Sequence, residues 1–262
     1  NHTKEMKDWF IQAGWLYWLD GSQLMIYDGA NIGSSALKPQ GMNATDGELA
    51  IWAKVEKALA VEQRGQRWFY ATANNEIIFS EIGIPNKFSP TNIINVNTKN
   101  GDGITALHEF NDGILVFKKH SVHYLVGWDF ASGSDVQLLH LNVSSGTIFP
   151  RTIATVDNGV IYLGLNGLYR LFIPSHSSVV VAENISEGKI YRRLYREGNL
   201  LDACAAVWDN TYHLSCHKQV PRLIEGMPAG FEEVSYEYRY LLTTKSFFGE
   251  FTQGVSSYAV GL

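Results

Sequence analysis

Ile104-Thr-Ala-Leu-His-Glu-Phe110, then Asn111-Asp-Gly113, then Ile114-Leu-Val-Phe-Lys-Lys-His120-Ser-Val-His-Tyr-Leu-Val126 reads as three β-strands joined by two tight turns. Runs of apolar, β-branched and aromatic residues bounded by Asn, Asp and Gly are the signature of short strands and hairpins. The unit recurs. Thr152-Ile-Ala-Thr-Val156 leads through Asp157-Asn-Gly159 into Val160-Ile-Tyr-Leu-Gly-Leu-Asn166-Gly-Leu-Tyr-Arg-Leu-Phe172. Simpler hairpins precede both, at Trp15-Leu-Tyr-Trp-Leu-Asp20-Gly21-Ser-Gln-Leu-Met-Ile-Tyr27 and at Arg67-Trp-Phe-Tyr-Ala71 with Asn75-Glu-Ile-Ile-Phe-Ser80. Taking Gly21, Asn75, His120 and Asn166 as turn markers, the steps are 54, 45 and 46 residues. That is the length of a four-stranded propeller blade.

A further unit runs from Asp202 to Trp208 and Asp209, turns at Asn210, and continues as Thr211-Tyr-His-Leu-Ser-Cys216; Asn210 follows Asn158 by 52 residues. The expected fold is all-β, a five- or six-bladed β-propeller forming a single domain over residues 1–262. The Asn/Asp-Gly pairs at Asp112-Gly113 and Asn158-Gly159 are expected to supply the positive φ that tight hairpin turns require, and Asn166-Gly167 marks a further blade turn. Two helices interrupt the pattern. The first is predicted over 45–63, from a capping box of Thr45 and Glu48 and an apolar face of Leu49, Trp52, Val55 and Leu59. The second is predicted over 186–197, with Ile190 and Leu194 on one face and Gly198 as its stop. Its arginines, Arg192, Arg193 and Arg196, sit near the C-terminal end, where cations suit the helix dipole. They form a solvated face or a possible interface. Residues 217–235, with Pro221, Pro228, Gly226 and Gly230, read as a long surface loop. Val255 to Leu262 reads as a strand that either opens a sixth blade or pairs with the N-terminal unit. The chain begins at Asn1 and ends on that strand, which suggests a piece of a longer polypeptide.

Composition bounds the function. With 45% hydrophobic and 13% aromatic residues in 262, the chain can bury a large core and does not have the composition of a disordered protein. A net charge of −5 gives no global basic field for nucleic acid. Two cysteines, Cys204 and Cys216, are too few for a disulfide-built scaffold. No apolar run reaches the ~18 residues needed to insert in a membrane.

Motifs for chemistry are sparse. His120 and His123 lie three apart, a spacing that puts strand residues on opposite faces, so a turn pair is expected rather than a metal site. Cys204, His213, Cys216 and His217 share one hairpin, and register could place Cys204 across from Cys216; buried free thiols are the default reading. Thr98-Lys-Asn100-Gly-Asp102-Gly103 with Glu109 at the twelfth place is close to an EF-hand loop, but Thr stands at the first position and strands flank it. No nucleophile elbow, phosphate-binding loop or zinc-protease motif is present. No catalytic, cofactor or metal residues are therefore expected. Glycosidase chemistry would need two opposed carboxylates in an acidic, aromatic-lined cleft.

From Ile77 to Phe172 the succession is specific in its order. It comprises Ile77-Ile-Phe-Ser-Glu81, Pro90-Thr-Asn-Ile-Ile-Asn95, Gly101-Asp-Gly103, Leu115 to Gly127, Ser145-Gly146, Pro150-Arg-Thr-Ile-Ala154, Asn158 to Leu163 and Asn166-Gly-Leu-Tyr-Arg170. It resembles a family of β-propeller proteins of tailed bacteriophages and prophages, including hexameric tail-tube or nozzle proteins of short-tailed phages. Ile185 to Leu194 and Ala205 to Leu214 look like that family's downstream helix and blade. The resemblance implies a non-enzymatic structural protein of the virion tail or neck, made in the bacterial cytoplasm. It implies a ring of identical subunits, a hexamer in the first instance, contacts with neighbouring tail proteins, and DNA as a possible passenger through the channel. On that reading the Asn-x-Ser/Thr sequons at Asn1, Asn43, Asn142 and Asn184 carry no glycan. The alternatives are a receptor- or glycan-binding propeller at the tail tip, and an enzyme acting on polysaccharide.

Overall fold

The computed structural model describes residues 8–20, 22–30, 32–33, 46–96, 101–127, 136–224 and 227–252. They form five four-stranded antiparallel sheets, each built from strands consecutive in the chain. This is the blade pattern of a propeller, in which each sheet closes its hydrogen bonds internally and packs by its faces. The chain divides into two compact units, residues 1–140 and 141–262.

Unit 1 carries three blades: β1 (Asp8–Gln12) to β4 (Ile32–Gly33), with β2 (Trp15–Leu19) and β3 (Leu24–Tyr27) between them; β5 (Ala60–Arg64), β6 (Arg67–Ala71), β7 (Glu76–Phe79) and β8 (Ile93–Asn95); and β9 (Ile104–Phe110), β10 (Gly113–Lys118), β11 (Val122–Val126) and β12 (Gln137–His140). Every residue of β6, Arg-Trp-Phe-Tyr-Ala, is buried. The reason is that both faces of the sheet are covered, so the usual polar alternation is lost. Trp68, Tyr70 and Ile78 join Phe10, Leu19 and Leu24 of the preceding blade in one core. Their neighbours Phe69, Ala71, Ile77 and Phe79 turn the other way and join Leu107, Val116 and Leu125 of the following blade in another. Each such large side chain, fully buried, contributes on the order of 1.5–3 kcal/mol of transfer free energy.

Unit 2 carries two blades: β13 (Ala154–Val156), β14 (Gly159–Leu163), β15 (Leu168–Phe172) and β16 (Val181–Asn184), then β17 (Gly198–Trp208), β18 (Thr211–Ile224), β19 (Met227–Leu241) and β20 (Ser246–Thr252). Ile161, Leu163 and Leu168 pack on Tyr212, Leu214 and Cys216. Among the described residues the count expected as five or six blades is five.

Several boundaries depart from expectation. Helix α1 spans Asp46–Val55, not 45–63: residues 60–63 begin strand β5, whose partner β6 outcompetes continuation of the helix. Thr45, the expected cap, lies outside the described residues. The buried face is Ile51, Trp52 and Val55, whereas Leu49 and Leu59 are exposed. Helix α2 spans Tyr191–Glu197, not 186–197: residues 185–190 are turns, while the helix stops just before Gly198 as expected, and Gly198 opens β17. The largest correction is 217–235. This stretch is no surface loop but the end of a long hairpin, paired from Thr211 with Leu241 out to Ile224 with Met227. Pro221 is accommodated at a register shift between Pro221 and Leu223, where a missing N–H costs least. Val255–Leu262 lies outside the described residues. Among those described, no helix is long and apolar enough to cross a membrane.

Candidate functional site

Four of the turn markers occupy one topological position. Asp20, Asn75, His120 and Asn166 with Gly167 all lie between the second and third strands of successive blades, and Asn210 lies between the first and second strands of the last; Gly21 lies outside the described residues. Each marker closes its turn with a different device. Asp20 Oδ1 accepts from the N–H of Ser22 and of Gln23, both at 2.8 Å. Asn75 takes φ +60°. His120 donates its N–H to Asp102 and pairs through Nδ1 at 2.9 Å. At Asn166-Gly167 the Tyr195 hydroxyl, reaching from α2, donates to Gly164 O at 2.6 Å and accepts from the Gly167 N–H at 3.0 Å. Tyr195 was invisible to sequence reasoning, because only the packing of α2 brings it to a turn 28 residues away.

The positive-φ expectation holds at neither Asx-Gly pair before a second strand. The left-handed residue at Asn111-Asp112-Gly113 is Asn111, with φ +47°. Gly113 and Gly159 are needed for space: an added Cβ would lie 2.3 Å from Leu125 O and 2.1 Å from Leu171 O, respectively. Neither Gly167 nor Asn158 is left-handed.

The metal-like patterns come apart. His120 pairs with Asp102, while His123 faces His140 across β11 and β12, rings 5.0 Å apart. Cys204 lies opposite Ser215, not Cys216, because the two-residue turn at Asp209-Asn210 fixes an unbroken register from Trp208 with Thr211 back to Cys204 with Ser215; both side chains are buried and neither forms a disulfide. In the calcium-like loop, Thr98 to Asn100 lie outside the described residues, Asp102 is taken by His120, and Glu109 by Arg64. Among the described residues no three His, Cys, Asp or Glu side chains are grouped to hold a metal ion. Arg192 and Arg193 are exposed on α2; the side chain of Arg196 is not described.

What the structure does bring together is a row of carboxylates on the first strands of the three blades in unit 1. Asp8 on β1 accepts the N–H of Val61 on β5 at 2.8 Å, and Glu62 on β5 accepts the N–H of Glu109 on β9 at 3.1 Å. Each acid thus latches its blade to the next. Arg64 bridges Glu109 and Asp112. A cleft of about 370 Å³, lined by Trp9, Phe10, Val61, Glu62, Gln63, Gly65 and Glu109, opens beside them. Burial pushes Asp8 up to about 6, against the lowering effect of its two backbone hydrogen bonds. Burial likewise pushes Glu62 up to about 7, with the charge of Asp8 adding to it. Sequence reasoning had 26 acids to choose from and no signal to single out these.

A pH dependence follows. For a carboxyl raised in the folded state, the stabilising contribution is fully present below its unfolded pKa and is lost as pH rises through the folded one. For Glu62 that window runs from 4.5 to about 7. His108, held down to about 4 by burial, acts in the opposite sense: its contribution is present above its unfolded value and is lost as pH falls through about 4. The parent protein's profile therefore mixes both, and Glu62→Gln isolates one. Between pH 5 and pH 8 the stability of E62Q relative to the parent should rise by about 2 kcal/mol. Urea unfolding at both pH values measures this, and a gap independent of pH would contradict the assignment.

No family model and no curated protein sequence matches the chain. Solved structures do match. BamB from Moraxella catarrhalis aligns over 95% of this chain and 62% of its own, at 12% identity and a TM-score of 0.50. The extracellular domain of a putative hybrid two-component system from B. thetaiotaomicron aligns over 93% of this chain and 27% of its own, at 13% identity and a TM-score of 0.55. The chain is a β-propeller. An ancestral GH74 enzyme aligns over 94% of this chain and 34% of its own, at 12% identity and a TM-score of 0.56. The chain thus spans less than two thirds of the length of each. At such identities the likeness carries the propeller fold, and function must be argued from the residues.

Proposed function

We propose that this propeller is a structural subunit of a tailed-phage virion, acting through its surfaces in assembly and not as an enzyme. The observation that carries the reading is the β18–β19 hairpin. Among the described residues its pairing with β17 runs to Lys218 and that of β19 with β20 to Tyr236, while the two strands stay paired with each other to Ile224 and Met227. A two-stranded ribbon is marginal by itself in water. A partner's surface supplies what it lacks, as contact with an identical subunit in a ring or with a neighbouring tail or neck protein would. The family resemblance from Ile77 to Phe172 supplies the virion context, and the propeller supplies a rigid frame for the ribbon.

The carboxylate row agrees with a scaffold role. Asp8 and Glu62 are occupied as acceptors for backbone N–H groups of the next blade, which is a structural use of groups that would otherwise attract a hydrolytic reading. Mass spectrometry of purified particles of the encoding phage should find this polypeptide in stoichiometric amount. A chain with residues 219–233 replaced by a short turn should fold but fail to enter particles. Absence of the parent chain from virions would overturn the proposal.

A further inference from the structure

A second cleft in unit 1 has a different chemistry from the carboxylate row. In the first blade Gln12 lies directly opposite Trp15, and Tyr17 lies opposite Phe10 on one side and Ile26 on the other. Because alternate strand residues share a face, this register gathers Gln12, Trp15, Tyr17 and Ile26 on one side of the sheet. The loop after β7 brings Pro85 and Asn86 to the same place, and these six residues together with Ala13 line a cleft of about 260 Å³. That loop is pinned. Gln12 Nε2 donates to Gly83 O at 3.2 Å, the Tyr70 hydroxyl to Pro85 O at 3.0 Å, and the Gly83 N–H to Gln66 O at 2.7 Å.

The lining is built to receive something. Trp15 is 45% exposed, an expensive surface for a residue that prefers cover. Gln12 Oε1 is enclosed with no hydrogen-bond partner among the described residues, a cost on the order of 1–3 kcal/mol that a shift of the side chain toward a bound hydroxyl would relieve. The Tyr17 ring stacks on Phe10 at 4.7 Å and 7°, which fixes its edge at the cleft. Burial alone raises its hydroxyl pKa, with no hydrogen bond contributing. No charged side chain is in the lining.

We infer that this cleft binds a neutral carbohydrate, one pyranose ring of an exposed polysaccharide lying against Trp15 with its hydroxyls toward the Gln12 and Asn86 amides. An aromatic face meets the C–H side of a sugar, side-chain amides match vicinal hydroxyls as donor and acceptor, and the absence of charge favours an uncharged ring over an acidic one. Its volume lies just under the ~300–1,000 Å³ of sites for drug-sized ligands, which suits a single ring better than a peptide lying along a groove. The inference goes beyond the assembly proposal and is independent of it, since incorporation into particles does not require the cleft.

The test titrates the full chain with maltohexaose, cellohexaose and mannohexaose, with oligogalacturonate and a proline decapeptide as comparisons, following tryptophan fluorescence and the side-chain amide NMR signals of Gln12 and Asn86. At least one neutral oligosaccharide should bind with a Kd of about 0.1–1 mM and shift both amide signals. Trp15→Ala should weaken it at least tenfold, ~1.4 kcal/mol, and Asn86→Ala severalfold, while Trp9→Ala leaves it unchanged. If Trp15→Ala fails to fold, Asn86→Ala decides. No binding by any neutral oligosaccharide, binding that survives both substitutions, or binding of only the charged sugar or the proline peptide would overturn the inference.

Discussion

Gly159→Ala should destabilise unit 2 by about 3 kcal/mol, a large effect for adding one methyl group. Gly159 opens β14, the second strand of its blade, paired with Val156 on one side and Phe172 on the other. A Cβ there would sit 2.1 Å from Leu171 O and 3.1 Å from Phe172 Cβ. Both obstacles belong to the adjacent strand, so relief requires moving β15 or breaking the end of the ladder. Gly113→Ala should behave alike in unit 1, since its Cβ would lie 2.3 Å from Leu125 O and 2.6 Å from the Tyr124 ring. Gly103→Ala is the control, with nothing within 4 Å of its Cβ. Its effect should lie within about 0.5 kcal/mol of zero. Urea unfolding of the three variants measures the order, and equal effects at Gly159 and Gly103 would show that the close approach is unimportant.

Tyr70→Ala should cost unit 1 about 4 kcal/mol, the range for truncating a buried aromatic. The side chain is fully buried, packs edge-on to Phe88 at 5.6 Å and Phe10 at 6.5 Å, and donates its hydroxyl to Pro85 O. Tyr70→Phe keeps the ring and removes only that donor, for about 1–2 kcal/mol. The hydroxyl also anchors the loop that carries Asn86, so Tyr70→Phe should raise amide hydrogen exchange over residues 83–87 more than elsewhere. Thermal unfolding with exchange mass spectrometry separates the two effects. A uniform rise in exchange would assign Tyr70 a packing role alone.

The arrangement of strands into blades was legible in the residues because it follows from local chemistry. Asp20, Asn75, His120 and Asn166 recur at blade length since each marks the same turn between second and third strands, and short apolar runs between such turns form hairpins whatever surrounds them. Three things were decided by tertiary structure. Residues 60–63 continue an apolar pattern readable as helix, yet pair with β6 because a sheet edge was waiting for them. Residues 217–235 carry the Pro and Gly of a loop, yet extend a hairpin whose register tolerates Pro221 beside a shift. The glycines of the Asx-Gly pairs looked like conformational requirements, whereas Gly113 and Gly159 answer to the carbonyls of Leu125 and Leu171 in the next strand. The clefts lay further out of reach. Asp8 and Glu62 meet the next blade across 53 and 47 residues, and Gln12 meets Gly83 across 71. Such contacts depend on how the faces of separate blades pack, and the periodicity of a strand records only that a face is buried, not what it is buried against.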